Sequence, residues 1–151
     1  MKQLSCGILN YYKENNKIYV LLASSGGPYF INKECWSIPK GLCEDNEDEI
    51  KTAIREFKEE TNISFNTERL IFLDKVSQSS KKDVSCFLLE GKLDLKDFKS
   101  NTFEMEYPPN SGIINSYSEI KEIKYFNIKE AKEKIIKGQI VLLEKLESLG
   151  K

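Results

Sequence analysis

Three glutamates carry the strongest chemical signal in this chain. Glu56, Glu59 and Glu60 stand at i, i+3 and i+4, so on a helix their carboxylates share one face. Like charges at that spacing cost an isolated helix about 0.2–0.5 kcal/mol per pair. The macrodipole also disfavours anions near a helix C-terminus. A hard cation resolves both conflicts, because Mg²⁺ takes oxygen ligands and pairs naturally with a phosphate substrate. Taken alone, an E-x-x-E-E run in a Glu-rich chain reads first as a solvated acidic face. Composition removes the main competing chemistries. The 151 residues include no histidine, which excludes a Ser-His-Asp triad, a Cys-His pair and a His-ligated zinc site. Cys6, Cys35, Cys43 and Cys86 form no C-x-x-C pair, so they read as reduced, mostly buried thiols of a cytoplasmic protein. Any chemistry must therefore come from carboxylates, lysines, hydroxyls or a hard metal.

The elements that must position these groups follow from hydrophobic periodicity. Leu4, Cys6 and Ile8 alternate, Lys13 to Asn16 interrupts, and Lys17 to Ala23 is strand-like again, which predicts a β-hairpin. Ser24 to Pro28 is a loop, and Cys35 to Ile38 is a short strand ending at Pro39. From Glu47 the period changes: Ile50, Ala53, Ile54 and Phe57 make one buried helical stripe, and Asn62 can end it as a left-handed cap. Leu70 to Val76 and Val84 to Leu93 read as strands, residues 94–118 as irregular, and Glu122 to Ile128 as a last strand. A second helical region carries Ala131, Ile135, Ile136, Leu142, Leu143 and Leu146, with a break expected near Gly138. This order predicts an α+β or mixed α/β fold.

Size and charge bound the rest. A chain of this length, 40% apolar and 31% charged, suits a single compact domain over residues 1–151. No apolar run reaches the roughly 20 residues of a membrane span, and no signal-peptide core follows Met1. A net charge of −1 argues against general nucleic-acid binding.

The residues around the glutamates change their meaning. From Gly41 the chain runs Gly41-x5-Glu47-x7-Arg55-Glu56-Phe57-x-Glu59-Glu60-x-Asn62-Ile63. This resembles the Nudix box, G-x5-E-x7-R-E-U-x-E-E-x-G-U, where U is a bulky aliphatic residue. A chance match at the six fixed positions is on the order of one in ten million per start point at this chain's composition. Two positions depart: Asn62 replaces the second glycine, and Phe57 is aromatic. Asn tolerates the left-handed cap and Phe57 continues the buried stripe, so neither departure touches a carboxylate.

The resemblance implies a Nudix α/β/α sandwich with a mixed sheet, working with Mg²⁺ or Mn²⁺. It implies a hydrolase that cleaves a nucleoside diphosphate linked to another moiety. By position, Glu56, Glu59 and Glu60, with the carbonyl of Gly41, look like metal ligands, and Glu47 with Arg55 like the pair tying loop to helix. Hydrolysis also needs a carboxylate to position or deprotonate water. In the family this group lies in the box or in a later loop. Here Glu104, Glu106 and Glu119 stand as alternatives beside the box glutamates. Glu119 precedes Tyr125-Phe126, which resembles the family's late-strand aromatic pair, whereas Glu104 and Glu106 would point one way on an extended segment.

Two more stretches refine the substrate. Trp36-Ser37-Ile38-Pro39-Lys40-Gly41 resembles the W-x-x-P-K-G lead-in of dinucleoside tetraphosphate hydrolases, which implies a phosphate contact for Lys40. Ser100-Asn101-Thr102-Phe103-Glu104-Met105-Glu106-Tyr107-Pro108-Pro109 resembles an insertion in a bacterial Nudix subgroup. Tyr29, Phe30, Phe103 and Tyr107 are candidates to stack a base. The expected substrate is a dinucleoside polyphosphate or a nucleoside triphosphate, with a nucleotide sugar as an alternative. A catalytically silent nucleotide-binding module is a further alternative, and a homodimer is left open.

Overall fold

The computed structural model describes residues 2–149. Strands β1 (Gln3–Glu14) and β2 (Lys17–Ser25) form the expected hairpin. Its turn residues Asn15 and Asn16 have φ of 53° and 64°, the positive values that a two-residue turn needs to match strand twist. The two strands pair only from Tyr11↔Val20 to Glu14↔Lys17 and then diverge. The stretch leading into the box fills the opening. β3 (Trp36–Ser37) pairs with Ser24 and Ala23, and β4 (Lys40–Leu42) pairs with Ser5 to Gly7. Between them Pro39, which has no N–H, contributes its carbonyl to the Ile8 N–H at 3.1 Å.

β5 (Ile71–Ser79) and β6 (Lys82–Glu90) form a second hairpin. β6 lies parallel to β1 from Gln3↔Lys82 to Tyr11↔Glu90. β9 (Ile120–Asn127) covers the outer edge of β2. The result is one mixed sheet of seven strands. Alternate residues face opposite cores. Cys6, Ile8, Leu21, Phe87 and Leu89 pack against α1 (Glu49–Thr61). Leu9, Val20, Leu22, Val84, Cys86 and Leu88 pack against α2 (Ile128–Lys134) and α3 (Ile140–Leu149). This is the α/β/α sandwich that the resemblance implied. No described helix is long and apolar enough to cross a membrane.

Helix α1 starts where Asp48 accepts the Ile50 N–H at 3.1 Å, a cap that contributes about 1 kcal/mol. It ends at Asn62, whose φ of 62° is the left-handed cap expected for that residue. The buried stripe is Thr52, Ala53, Phe57 and Thr61. Ile50 and Ile54 are only half-buried, and the two threonines were not foreseen. Thr61 resolves its hydroxyl within the helix by donating to the Phe57 carbonyl at 2.7 Å. Phe57 packs edge-on against Phe65, which accommodates the aromatic departure in the box.

One expectation needs correction. Residues 94–118 are not wholly irregular, because β7 (Thr102–Glu106) and β8 (Ile114–Ser118) form a separate two-stranded hairpin. The Pro-Pro and Ser-Gly breakers lie in its loop. The C-terminal helical region breaks near Gly138 as expected, with Ile135 and Ile136 extended and Lys137–Gln139 a single 3₁₀ turn. Tertiary pairing is the cause: the Ile136 N–H donates to the Trp36 carbonyl at 2.9 Å.

Candidate active site

Helix α1 carries its candidate chemistry on Glu56, Glu59 and Glu60, beside the stripe that Phe57 buries, and Arg55 organises it. Nε and Nη2 grip the Glu47 carboxylate at 3.1 and 3.0 Å. Nη1 reaches Glu56 at 2.7 Å and Glu59 at 3.4 Å. The Arg55 hydrogen bonds, with others from Thr52 and the Glu44 N–H, hold Glu47 down at about 2. Glu47 and Arg55 thus tie the loop to the helix, as the resemblance implied. The same guanidinium also neutralises part of the charge on two box glutamates.

Glu60 lies on the side facing β4. Its Oε1 accepts the Lys40 N–H at 3.2 Å. Desolvation pushes this carboxyl up to about 8, against the opposing pull of Lys40, while Glu56 and Glu119 add repulsion. Desolvation likewise lowers Lys40 below the ordinary lysine value, opposed by Glu60. Among the described residues the Lys40 ammonium forms no ion pair. Glu56 is raised by desolvation first and by Glu59 second. Gly41 is required by close approach: a Cβ there would lie 1.9 Å from the Glu56 carboxyl carbon. The backbone of residue 41 therefore runs directly against that carboxylate.

The later glutamates separate. Glu119 joins the box group: burial raises it, and the charge of Glu59 raises it further. Its N–H donates to the Asn101 carbonyl at 2.8 Å, and the Asn101 N–H donates to the Glu59 carbonyl at 2.9 Å. Glu106 is committed elsewhere, since its two oxygens accept the N–H groups of Asn110 and Gly112 at 2.9 and 3.2 Å and so close the hairpin loop. Glu104 is exposed on the same side of β7 as Glu106, opposite Ser116. The extended alternation foreseen for these two is present, but it points them away from the face that docks.

That docking face is aromatic. Tyr107 meets Tyr29 edge-on with ring centroids 5.3 Å apart. Phe103 sits where Gly27, at φ 96°, would carry a side chain: its Cζ is 2.9 Å from an added Cβ. Tyr29 and Phe30 occupy a single 3₁₀ turn, Pro28–Phe30, and Tyr29 is 52% exposed. Three of the four candidate stacking positions are thus one interlocked wall, with Phe30 at its end.

Two residues that sequence reasoning missed hold this frame. The buried Gln139 accepts the Ile38 N–H at 3.0 Å and donates to Gln78 at 3.1 Å, fixing the lead-in just before Pro39. No pattern marks it, because it acts across a hundred residues. Ser100 binds both roots of the β7–β8 hairpin; its place at the head of the insertion motif was the available signal.

Among the described residues, no three carboxylate or thiol side chains converge as a ready cation cage, and Arg55 engages Glu56 and Glu59. The donor set nevertheless fits a hard divalent ion. Its oxygens are carboxylate and carbonyl, Glu56, Glu60 and the neighbouring Glu119 are raised by desolvation and by repulsion from nearby carboxylates, and glycine at 41 brings the backbone into contact with Glu56.

Comparison with known proteins agrees with this frame. No curated protein matches the sequence significantly. Among solved structures, the C. elegans Ap4A hydrolase in a binary complex is 24% identical with a TM-score of 0.62, covering 97% of this chain and 96% of its own. The NUDIX domain of Shewanella oneidensis NrtR, complexed with ADP ribose, is 13% identical with a TM-score of 0.69, covering 100% and 90%. A bifunctional NMN adenylyltransferase/ADP ribose pyrophosphatase from Francisella tularensis, complexed with AMP and a Mn ion, is 17% identical with a TM-score of 0.65, covering 98% of this chain and 42% of its own. At these identities the likeness establishes the fold. The NUDIX domain model matches residues 1–146, and the chain belongs to the NUDIX domain family.

Proposed function

We propose that this protein hydrolyses a phosphoanhydride bond in a nucleoside diphosphate linked to another moiety, foremost a dinucleoside polyphosphate or a nucleoside triphosphate. The observation that carries the reading is the surplus of partly desolvated carboxylate on one side of α1, with Glu119 added from a distant segment. Such a cluster opposes folding stability and is retained where charge is needed for chemistry. Glu56, Glu59, Glu60 and the Gly41 carbonyl would hold Mg²⁺ or Mn²⁺, in competition with Arg55 for the first two. When bound, the ion supplies charge neutralisation on the phosphates and polarises a phosphoryl oxygen.

The chain's own residues do the rest. Lys40, an ammonium without an ion pair beside Glu60, takes a phosphate oxygen of the substrate. Glu119 orients the attacking water and accepts its proton as the new P–O bond forms. The bridging P–O bond then breaks, and the leaving phosphate carries the electron pair. Two observations support Glu119 over Glu104 and Glu106: it interacts with the box carboxylates, and Glu106 is consumed by its own loop. Tyr29 and Tyr107, with Phe30 beside them, offer a stacking edge for a base.

A second reading takes ADP-ribose or a related nucleotide sugar as substrate, because two of the similar structures are described with ADP ribose. One experiment separates them. The protein is incubated with Mg²⁺ and diadenosine tetraphosphate, nucleoside triphosphates, ADP-ribose and capped RNA, with Glu59→Gln as the blank. Cleavage of diadenosine tetraphosphate or a triphosphate, absent from the blank, is the expected result. Selective cleavage of ADP-ribose moves the substrate to the second reading. Nucleotide binding by calorimetry without any cleavage overturns both and leaves a silent binding module.

A further inference from the structure

The insertion beginning at Ser100 has a root as well as a tip, and the root lies beside Glu119. The chain leaves the main body at Asn101, runs through the hairpin, and returns at Glu119. Pairing closes immediately there, with Thr102 opposite Ser118. Helix α1 ends with carbonyls that have no partner inside the helix, and the insertion's lead-in supplies partners for two of them. The Lys99 N–H donates to the Thr61 carbonyl at 3.1 Å and the Asn101 N–H to the Glu59 carbonyl at 2.9 Å. The returning strand is then stitched to the lead-in. The Glu119 N–H donates to the Asn101 carbonyl at 2.8 Å, and the Glu119 carbonyl accepts the Gly26 N–H at 2.8 Å.

One side chain completes the stitch. The Ser100 hydroxyl donates to the Asn101 carbonyl at 2.8 Å and accepts the Ile120 N–H at 2.8 Å. A hydroxyl can do both at once, having one proton and two lone pairs. Glu119 is thus flanked: its own N–H and the next residue's N–H are both fixed to Ser100-Asn101, which is itself fixed to the carbonyl of Glu59. Removing the hydroxyl frees the Ile120 N–H at the start of β9 and leaves Glu119 held only through its own backbone, to the Asn101 carbonyl and the Gly26 N–H.

We propose that Ser100 is a positioning residue for Glu119, holding its carboxylate in register with the box helix through the two-way hydroxyl bond at the hairpin root. The inference rests on the reading of Glu119 as the group that accepts the proton from water. It also gives the insertion motif a division of labour: Ser100 and Asn101 fix the base, Phe103 and Tyr107 dock the hairpin, and Glu106 closes its loop.

The test is a double-mutant cycle with diadenosine tetraphosphate and, in parallel, ADP-ribose, at saturating Mg²⁺. Glu119→Gln is expected to lower kcat by about 10²–10⁴-fold, the usual range for a general base. Ser100→Ala lowers kcat about tenfold with KM within about twofold, the scale of a modest misplacement of a reacting group. Ser100→Thr keeps the hydroxyl and most of the activity, whereas Ser100→Val, of the same shape, behaves like the alanine variant. In the Glu119→Gln background, Ser100→Ala changes kcat by less than about twofold, because the group it positions is gone.

A Ser100→Ala loss that persists in full in that background overturns the inference while leaving the reading of Glu119 intact. So does equal activity of the threonine and valine variants. Near-normal turnover by Glu119→Gln, or no turnover of either substrate by the unaltered protein, removes the reading of Glu119 itself.

Discussion

The box helix and the β7–β8 hairpin both border the candidate site, yet they are built on opposite principles. Helix α1 is fixed from below by Phe57, Ala53, Thr52 and Thr61, all fully buried, and from its ends by Asp48 and Asn62. Its carboxylates project from a frame that cannot shift without disturbing the core. The hairpin has almost no core. Its strands are exposed on alternate or most positions, and it is held by backbone hydrogen bonds at its root and by Phe103 and Tyr107 against the Gly27–Tyr29 turn. Two-stranded hairpins are marginal alone and need such docking. The box glutamates thus sit on the rigid element and the candidate recognition surface on the docked one, an arrangement in which substrate preference can change without rebuilding the helix.

Four substitutions break or sharpen that contrast. The largest effect is expected from Glu60→Gln, which should cost about 10³-fold or more in kcat/KM, several kcal/mol of lost charge stabilisation. Its melting temperature should stay level or rise, since a neutral amide replaces a desolvated carboxyl. Retained turnover would remove Glu60 from the site.

Next comes Gly27→Ala. An added methyl meets Phe103 at a positive φ and pushes the hairpin off its seat. About a tenfold loss in kcat/KM is expected, unequal between substrates, together with a lower melting temperature from the strained backbone at residue 27. Equal loss for all substrates would deny the hairpin a part in selection.

A smaller effect belongs to Glu47→Gln and concerns stability against pH. Glu47 falls from its ordinary 4.5 to about 2 in the folded protein. A depressed acid adds stability above its unfolded value, and that contribution is lost as pH falls through the folded value. The variant should therefore melt below the unaltered protein at pH 7, and the gap should narrow below about pH 4.5 and close near pH 2. Parallel melting curves at all pH values would contradict the Glu47–Arg55 tie.

The smallest effect is that of Asn62→Gly, which restores the family's residue at a left-handed cap. A change of only a few tenths of a kcal/mol is expected, since both residues tolerate this conformation. A loss above about 1 kcal/mol would show that the Asn62 side chain, which donates to the Asp97 carbonyl at 3.1 Å, matters more than the cap.

The same contrast explains what could be read from the chain. The helix was legible because its period, its cap and its charged residues are local signals within about fifteen residues. The first hairpin was legible for the same reason, from alternation around Asn15-Asn16. Residues 102–118 were harder. The alternation that points Glu104 and Glu106 one way was visible, but Pro108-Pro109 and Ser111-Gly112 read as the end of order rather than as a loop between strands. Whether that segment pairs depends on a turn seventy residues away. The helix break near Gly138 was legible, but the bond that gives it its extended start, from the Ile136 N–H to the Trp36 carbonyl, was not. Among the candidate bases, Glu119 is distinguished by tertiary contacts, the joining of Asn101 to both Glu59 and Glu119 among them, and no spacing rule encodes these.

The parallel pairing of β1 with β6 also bears on how the molecule is made. Gln3 lies opposite Lys82, so the whole box is contained in the segment that must be closed before the centre of the sheet exists. β2 waits longer still for its outer neighbour, because Val20 pairs with Phe126. Loop-closure entropy must be met before these contacts return any stability, so refolding should be slow, on the millisecond-to-second scale of high-contact-order domains. A nascent chain halted before β9 emerges would carry β2 as an open, apolar edge, exposed to pairing with other chains.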